Sequence, residues 1–116
     1  MKLFEALPEF SAELWASLAE AGHKDLAAQI ADVEIERYTY DASCNATYVY
    51  VRSPLDLNVV EKNMIGSKHG ETVSVDHPYW VNVDTDNFGR LTGIELLNGS
   101  EVARKLAEVF APKHPH

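Results

Sequence analysis

The first part of the chain alternates apolar and acidic positions with a helical period. Its apolar residues recur at three- and four-residue spacing, namely Leu3, Phe4, Leu7, Leu14, Trp15 and Leu18. This spacing predicts an amphipathic helix whose apolar stripe faces the rest of the fold. Pro8 suits a first helical turn and Gly22 suits a left-handed helix end. A second short helix is predicted from residue 24 to residue 32, so residues 3–32 form a helical hairpin.

Near Val33 the period of the apolar positions changes to two. The β-favouring run VEIERYTY leads through DASCN into ATYVYVR, and this pattern predicts a β-hairpin. With residues 41–45 as the loop, Tyr38 lies opposite Tyr48, and all the tyrosines of the hairpin share one face. The favoured interpretation is that helices cover this tyrosine face, and a binding surface is the alternative.

The second half of the chain predicts the remaining strands and a closing helix. Residues 53–70 are expected to form a loop, with strand character only in VVEKNMI. Residues 72–76 and 80–84 predict two strands or one bent strand, and Leu91–Leu97 completes the sheet after a turn in which Gly89 adopts positive φ. Ser100 is the expected N-cap of a helix over residues 100–111, and the tail 112–116 is expected to be disordered.

These elements predict a single α+β domain over residues 1–116. Its centre is an antiparallel β-sheet of four to five strands over residues 33–97, with the helical hairpin at the N-terminus and a helix at the C-terminus. The pattern contains no internal repeat and no linker that would divide the chain. It does not determine the order of the strands.

The net charge and the length of the chain indicate which kinds of molecule are expected as its partners. The 116 residues include 10 basic and 18 acidic side chains, and the net charge of −8 argues against nucleic acid as a partner. A chain this short buries a limited share of its surface alone, which favours a homodimer. The N-terminal residues lack the basic and apolar regions of a signal peptide, and no apolar run reaches membrane-spanning length, so a cytoplasmic location is expected.

One segment resembles a calcium-binding loop. Residues 84–95 place Asp84, Asp86 and Glu95 at loop positions of an EF-hand. Phe88 occupies a position that normally supplies an oxygen ligand, and strands flank the segment where helices are required. The favoured interpretation is therefore a hairpin turn, with a metal site formed by the three acidic residues as the alternative. No cofactor is predicted.

A ligand pocket is the second candidate site. Tyr48, His77, Trp80 and Glu95 are expected near one another, between the helices and the sheet. Asp76 could orient His77 as a base, but neighbouring residues on a strand point to opposite faces. Motifs for a nucleophile elbow, a phosphate loop and a dinucleotide fold are missing, so no catalytic residue is predicted.

The segments YTYDASCNATYVYV, VSVD and WVNVDTDNFGRLTGIELL together resemble a small bacterial family, domain of unknown function 2283. The matching residues are Tyr40, Asp41, Ala46, Tyr48, Asp84, Gly89, Gly93, Ile94 and Glu95. The resemblance implies an antiparallel sheet and a bacterial or bacteriophage setting, and it implies no catalytic residues. The helical hairpin and the long stretch before the third strand depart from that family pattern.

The sequence therefore favours a non-enzymatic protein-binding or regulatory module, acting through its sheet edge, its aromatic face or its N-terminal helices, with itself or another protein as partner. The alternative is a small-molecule or metal-binding protein, which would include an enzyme.

Overall fold

The structure, a computed structural model, describes residues 1–53, 70–76 and 79–110. Four features predicted from the sequence lie outside these ranges. They are residues 54–69 of the predicted loop, the strand character within residues 59–65, His77, and the tail 112–116. The last helix, predicted over residues 100–111, ends at Val109 with Phe110 as its C-cap.

The described residues form an α+β fold with helices at both ends of one antiparallel sheet, as predicted. In chain order the elements are α1 (Leu3–Ala6), α2 (Pro8–Glu20), α3 (Lys24–Ile30), β1 (Glu34–Asp41), β2 (Ala46–Arg52), β3 (Thr72–Val75), β4 (Trp80–Thr85), β5 (Leu91–Leu97) and α4 (Ser100–Val109). None of the helices within the described ranges is long and apolar enough to cross a bilayer.

Local signals explain where the helices begin and end. Leu7 separates α1 from α2, and Pro8 opens α2 where its missing N–H is not needed. Gly22 has φ of 90° and lies in the turn that ends α2, as predicted. The predicted N-cap Ser100 is wrong by one residue. Gly99 is the N-cap. A side chain at residue 99 would lie too close to the Thr47 hydroxyl and the Leu96 carbonyl, which explains why this position is a glycine.

The sheet has five strands in the order β1-β2-β5-β4-β3, and every neighbouring pair is antiparallel. The predicted segments 72–76 and 80–84 correspond to two separate strands, β3 and β4, which pair as a hairpin. Gly89, with φ of 79°, allows the tight turn between β4 and β5. This order places β5 in the middle of the sheet and leaves β1 and β3 at its two edges.

The predicted pairing of β1 with β2 is wrong by one residue. Tyr38 lies opposite Val49, and Asp41 closes the hairpin opposite Ala46. The loop is four residues long because Asp41 belongs to the strand, where its carboxylate accepts hydrogen bonds from Ser43. A shift of one residue moves a side chain to the other face. The tyrosines are consequently divided between the two faces of the sheet.

One face of the sheet is covered by the helices and forms the core. The fully buried strand residues on this face include Val49, Val81, Val83, Ile94 and Leu96. They pack with buried helix residues such as Leu14, Leu18, Ile30 and Leu106. Trp15, predicted within the apolar stripe, is 45% exposed. The buried side of α2 follows Phe10, Leu14 and Leu18, and Trp15 lies about 100° further around the helix.

A buried amide joins α3 to the turn between β4 and β5. The Gln29 side chain donates to the Gly89 carbonyl at 2.9 Å and accepts from the Leu91 N–H at 2.7 Å. Its oxygen also accepts from the Ser53 hydroxyl at 2.7 Å. Gln29 is 4% exposed, so these contacts take the place of water as partners of its buried amide.

Candidate functional site

The face of the sheet that points away from the helices is termed the open face. No helix of the described ranges covers it. Its side chains form three rows across the strands, namely Asp41, Ala46, Leu97 and Trp80; Thr39, Tyr48, Glu95, Asn82 and Ser74; and Arg37, Tyr50, Gly93, Asp84 and Thr72. The first row has an apolar part, and the other two rows are mostly polar.

A tyrosine and an aspartate connect three strands across this face. The Tyr48 hydroxyl on β2 donates to Asp84 on β4 at 2.6 Å, and the Thr72 hydroxyl on β3 donates to the same carboxylate at 2.7 Å. To reach Asp84, the Tyr48 ring crosses β5 above Gly93. A Cβ atom at residue 93 would overlap the Tyr48 hydroxyl and ring. Gly93 is therefore required by the position of Tyr48.

The neighbouring polar side chains bond to one another in the same way. Asn82 donates to Glu95 at 2.9 Å and accepts from the Ser74 hydroxyl at 2.6 Å. On the β1 side, the Arg37 guanidinium lies 3.7 Å from the centre of the Tyr50 ring. Such cation–π contacts and cross-strand hydrogen bonds hold side chains in fixed positions. The open face is thus a preorganised surface.

The surroundings of Tyr48 keep its phenol protonated. Partial burial raises the pKa of Tyr48 far above its ordinary value of 10.0, and the hydrogen bond to Asp84 and the negative charge of Asp84 raise that pKa further. At neutral pH the phenol is therefore a hydrogen-bond donor. It is poorly suited to act as a base or nucleophile.

This shift gives a testable pH dependence. A raised pKa means that protonated Tyr48 stabilises the fold in full below pH 10.0, and that this stabilisation is lost as the pH rises further. The ultraviolet absorbance of tyrosinate is measured as the pH is raised, in wild type and in Tyr48→Phe. Subtracting the second curve from the first gives the ionisation of Tyr48, which is expected at a higher pH than that of an ordinary tyrosine. Ionisation at or below the pH of an ordinary tyrosine would contradict the described hydrogen bond.

The structure brings together three of the four predicted ligand residues. Tyr48 and Glu95 are direct neighbours on the open face, and Trp80 lies in the adjoining row. The predicted location between the helices and the sheet is wrong for Tyr48 and Glu95, because the alternation of β2 and β5 turns these side chains away from the core. Trp80 lines a groove of about 560 Å³ together with Ser17, Glu20 and Ala21 of α2. His77 lies outside the described residues.

The predicted metal site is not assembled in this structure. Asp84 and Glu95 share the open face, but Asp86 lies in the turn, where it binds the Arg90 guanidinium at 2.7 Å and the N–H groups of Phe88 and Arg90. Burial works to raise the pKa of Asp86, but these hydrogen bonds outweigh it and the pKa is lowered. Within the described ranges, no three His, Cys, Asp or Glu side chains are grouped to hold a metal ion.

A groove on the helix side is one of the concave features of the described residues. It has a volume of about 690 Å³ and lies between α3 and the turn after β4, with Leu26, Val73 and Phe88 among its lining residues. Every buried side-chain N or O atom of the described residues already has a hydrogen-bond partner. The lining of the groove also includes exposed charged side chains, among them Lys24, Asp25 and Glu71.

Comparison of the chain with family models, with curated proteins and with solved structures finds no match. Membership of domain of unknown function 2283 stays a prediction. Four of the residues that carry the resemblance are Tyr48, Asp84, Gly93 and Glu95, and they meet on the open face.

Other residues of the open face could not be recognised from the sequence. Asn82 and Arg37 occur in strands that predict an alternation of faces, but their partners become known only with the strand order and register. Gly93 offered one signal, since glycine within a strand often marks a close approach of another group. That signal does not identify Tyr48 as the group that approaches.

Proposed function

We propose that this chain is a non-enzymatic protein-binding module and that the open face is the surface that contacts its partner. The observation that carries this proposal is the hydrogen-bonded arrangement of side chains across β2, β3, β4 and β5. Side chains already held in place lose little conformational entropy when a partner binds. Such a surface suits recognition.

Trp80 supplies the anchor for a partner. It is 51% exposed and pairs across the strands with Leu97. Tryptophan is among the residues that contribute most to protein interfaces, especially where apolar and polar groups adjoin. Glu95 lies in the adjoining row and Asp84 in the row beyond it. Their hydrogen-bond donors, Tyr48, Thr72 and Asn82, are neutral and leave the two negative charges uncompensated. The complementary partner presents an apolar pocket flanked by arginine or lysine.

The chemistry of the open face supports binding more than catalysis. Its phenol keeps its proton because the pKa of Tyr48 is raised. Its carboxylates at Asp84 and Glu95 accept hydrogen bonds from neighbouring side chains, which hold them in fixed positions for recognition.

The two exposed tryptophans allow a matched experiment. Wild type, Trp80→Ser and Trp15→Ser are immobilised, exposed to extract of the source cells, and each captured protein is then purified and titrated calorimetrically. Trp15 and Trp80 are exposed to similar extents, 45% and 51%, on different elements. Trp80→Ser is expected to weaken binding at least about tenfold, while Trp15→Ser changes it less than about twofold.

Two results would count against this function. Equal affinities of the two variants for every purified partner would exclude Trp80 as the anchor. A rise in the melting temperature with calcium, zinc or a set of metabolites, abolished by Trp80→Ser, would favour the small-molecule alternative.

A further inference from the structure

The outer edge of β1 is a surface separate from the open face. The N-terminal residues of the chain pair with the first part of this edge. The Ile35 N–H donates to the Met1 carbonyl at 2.9 Å, and the Leu3 N–H donates to the Val33 carbonyl at 3.0 Å. From Arg37 onward, no strand in the described part of the chain pairs with this edge. An edge strand offers a row of backbone N–H and C=O groups to an added strand.

Aromatic side chains lie beside this free edge. Tyr38 packs against Phe110, the residue that follows α4, and the centroids of the two rings are 6.2 Å apart. Tyr40 and Phe110 are each 41% exposed. A strand added to β1 would cover apolar surface on these rings in addition to forming backbone hydrogen bonds.

We propose that the strand added to β1 is β1 of a second copy of this chain, antiparallel to it about a twofold axis at Thr39. In this register Arg37 lies opposite the partner's Asp41, and Tyr38 lies opposite the partner's Tyr40. The twofold symmetry repeats each pair on the other side of the axis. Two pairs of unlike charges and two pairs of tyrosines then join the strands, both of which are favourable cross-strand combinations.

Charge complementarity selects this register. Moving the axis to Tyr38 places Arg37 opposite the partner's Thr39, and moving the axis to Tyr40 places Asp41 opposite the partner's Thr39. Both shifts lose the two pairs of unlike charges. With the axis at Thr39, both charged residues of this segment, Arg37 and Asp41, therefore lie opposite a residue of unlike charge.

The opposite edge of the sheet does not offer the same match. Strand β3 has four residues, and the charged residues at its ends are Glu71 and Asp76, both acidic. No antiparallel register of β3 with a second β3 pairs unlike charges. Very short edge strands also resist pairing. Self-pairing is thus specific to β1.

The resulting dimer has one continuous sheet of ten strands. Because the twofold axis is perpendicular to the sheet, the open faces of both copies lie on the same side. The dimer uses the strand edge and leaves Trp80 and its neighbours free. Its existence therefore does not depend on the function proposed for the open face, and either proposal can fail alone.

Charge exchange between two variants tests this register. Arg37→Glu or Asp41→Lys alone places like charges at both pairs, and each is expected to raise the dimer dissociation constant in sedimentation at least about tenfold. In an equimolar mixture, the introduced glutamate lies opposite the introduced lysine, and native Arg37 lies opposite native Asp41. The mixture is therefore expected to form a heterodimer with nearly the wild-type dissociation constant.

The control for altered charge is Glu71→Lys, which changes the net charge as Asp41→Lys does but lies at the β3 edge. It is expected to leave the dissociation constant unchanged. Circular dichroism melts check that each variant is folded. A wild type that stays monomeric at all concentrations, or a mixture of folded variants that forms no heterodimer, would overturn the proposal.

A second test keeps all charges native. Thr39→Cys in a Cys44→Ser background places a thiol at the twofold axis, where opposite Cα atoms are about 4.5–5.5 Å apart. Oxidised glutathione is expected to link two copies through this thiol, whereas Ser74→Cys at the other edge in the same background stays unlinked. Equal linking at both positions, or none at residue 39, would contradict the register.

Discussion

Replacing Gln29 by leucine is expected to reduce the free energy of unfolding by about 3 kcal/mol, because it removes the hydrogen-bond partner of buried backbone groups. The Leu91 N–H and the Gly89 carbonyl both bond to this amide, and Ser53 donates to it. Leucine has a similar volume but cannot form these bonds. The contacts between α3 and the β4–β5 turn would then be held by apolar packing alone.

Urea unfolding of wild type and Gln29→Leu measures this effect. Ala28→Leu is the matched control, since residue 28 is on the same helix and exposed, and its change is expected to stay within about 0.5 kcal/mol. If Gln29→Leu were no more destabilising than the control, the hydrogen bonds of this amide would not contribute as described.

Placing alanine at Gly93 is expected to destabilise the protein by about 2 kcal/mol, through overlap of the new Cβ with the Tyr48 ring. Tyr48 must move to relieve the overlap, and its hydrogen bond to Asp84 is lost with that movement. Valine should cost more, because it adds two methyl groups in the same place. The melting temperature and the urea midpoint report the change.

A double-mutant cycle separates this effect from a general intolerance of alanine in β5. In a Tyr48→Ala background the ring is removed, so Gly93→Ala is expected to cost little there. The coupling between the two positions should reach at least about 1 kcal/mol. Additive effects of the two substitutions would show that Gly93 is required for a reason unrelated to Tyr48.

The elements of the fold could be predicted because their signals are local. The proline at residue 8, the glycine at residue 22 and the alternation in Leu91–Leu97 each determine a conformation through neighbouring residues. Strand order was not predictable, because it depends on pairings such as β2 with β5 between residues far apart in the chain.

The predicted register of β1 with β2 is wrong by one residue, and this difference changes which tyrosines lie on the open face. The loop could be taken as residues 41–45 or 42–45 from sequence, since Asp41 suits both a turn and a strand end. Asn45 has φ of 53° and completes the four-residue loop. The choice determines that Tyr48 and Tyr50 lie on the open face, while Tyr38 and Tyr40 lie on the helix side.

The sequence identifies several residues of the candidate site, but it does not predict how they are arranged. Tyr48, Trp80 and Glu95 were identified as aromatic or acidic residues of alternating strands, and the structure places them together. Gln29 was not identified, because a glutamine in a short helix ordinarily faces solvent, and only the tertiary structure shows that it is buried.

The claim that the open face binds a protein is tested most directly by nuclear magnetic resonance of the isotope-labelled chain titrated with its purified partner. The signals of the Trp80 indole, the Asn82 side-chain amide and the Gly93 N–H are expected to shift on binding, while those of α3 stay unchanged. Shifts confined to α2, α3 or the groove beside Phe88, with the open-face signals unmoved, would contradict it.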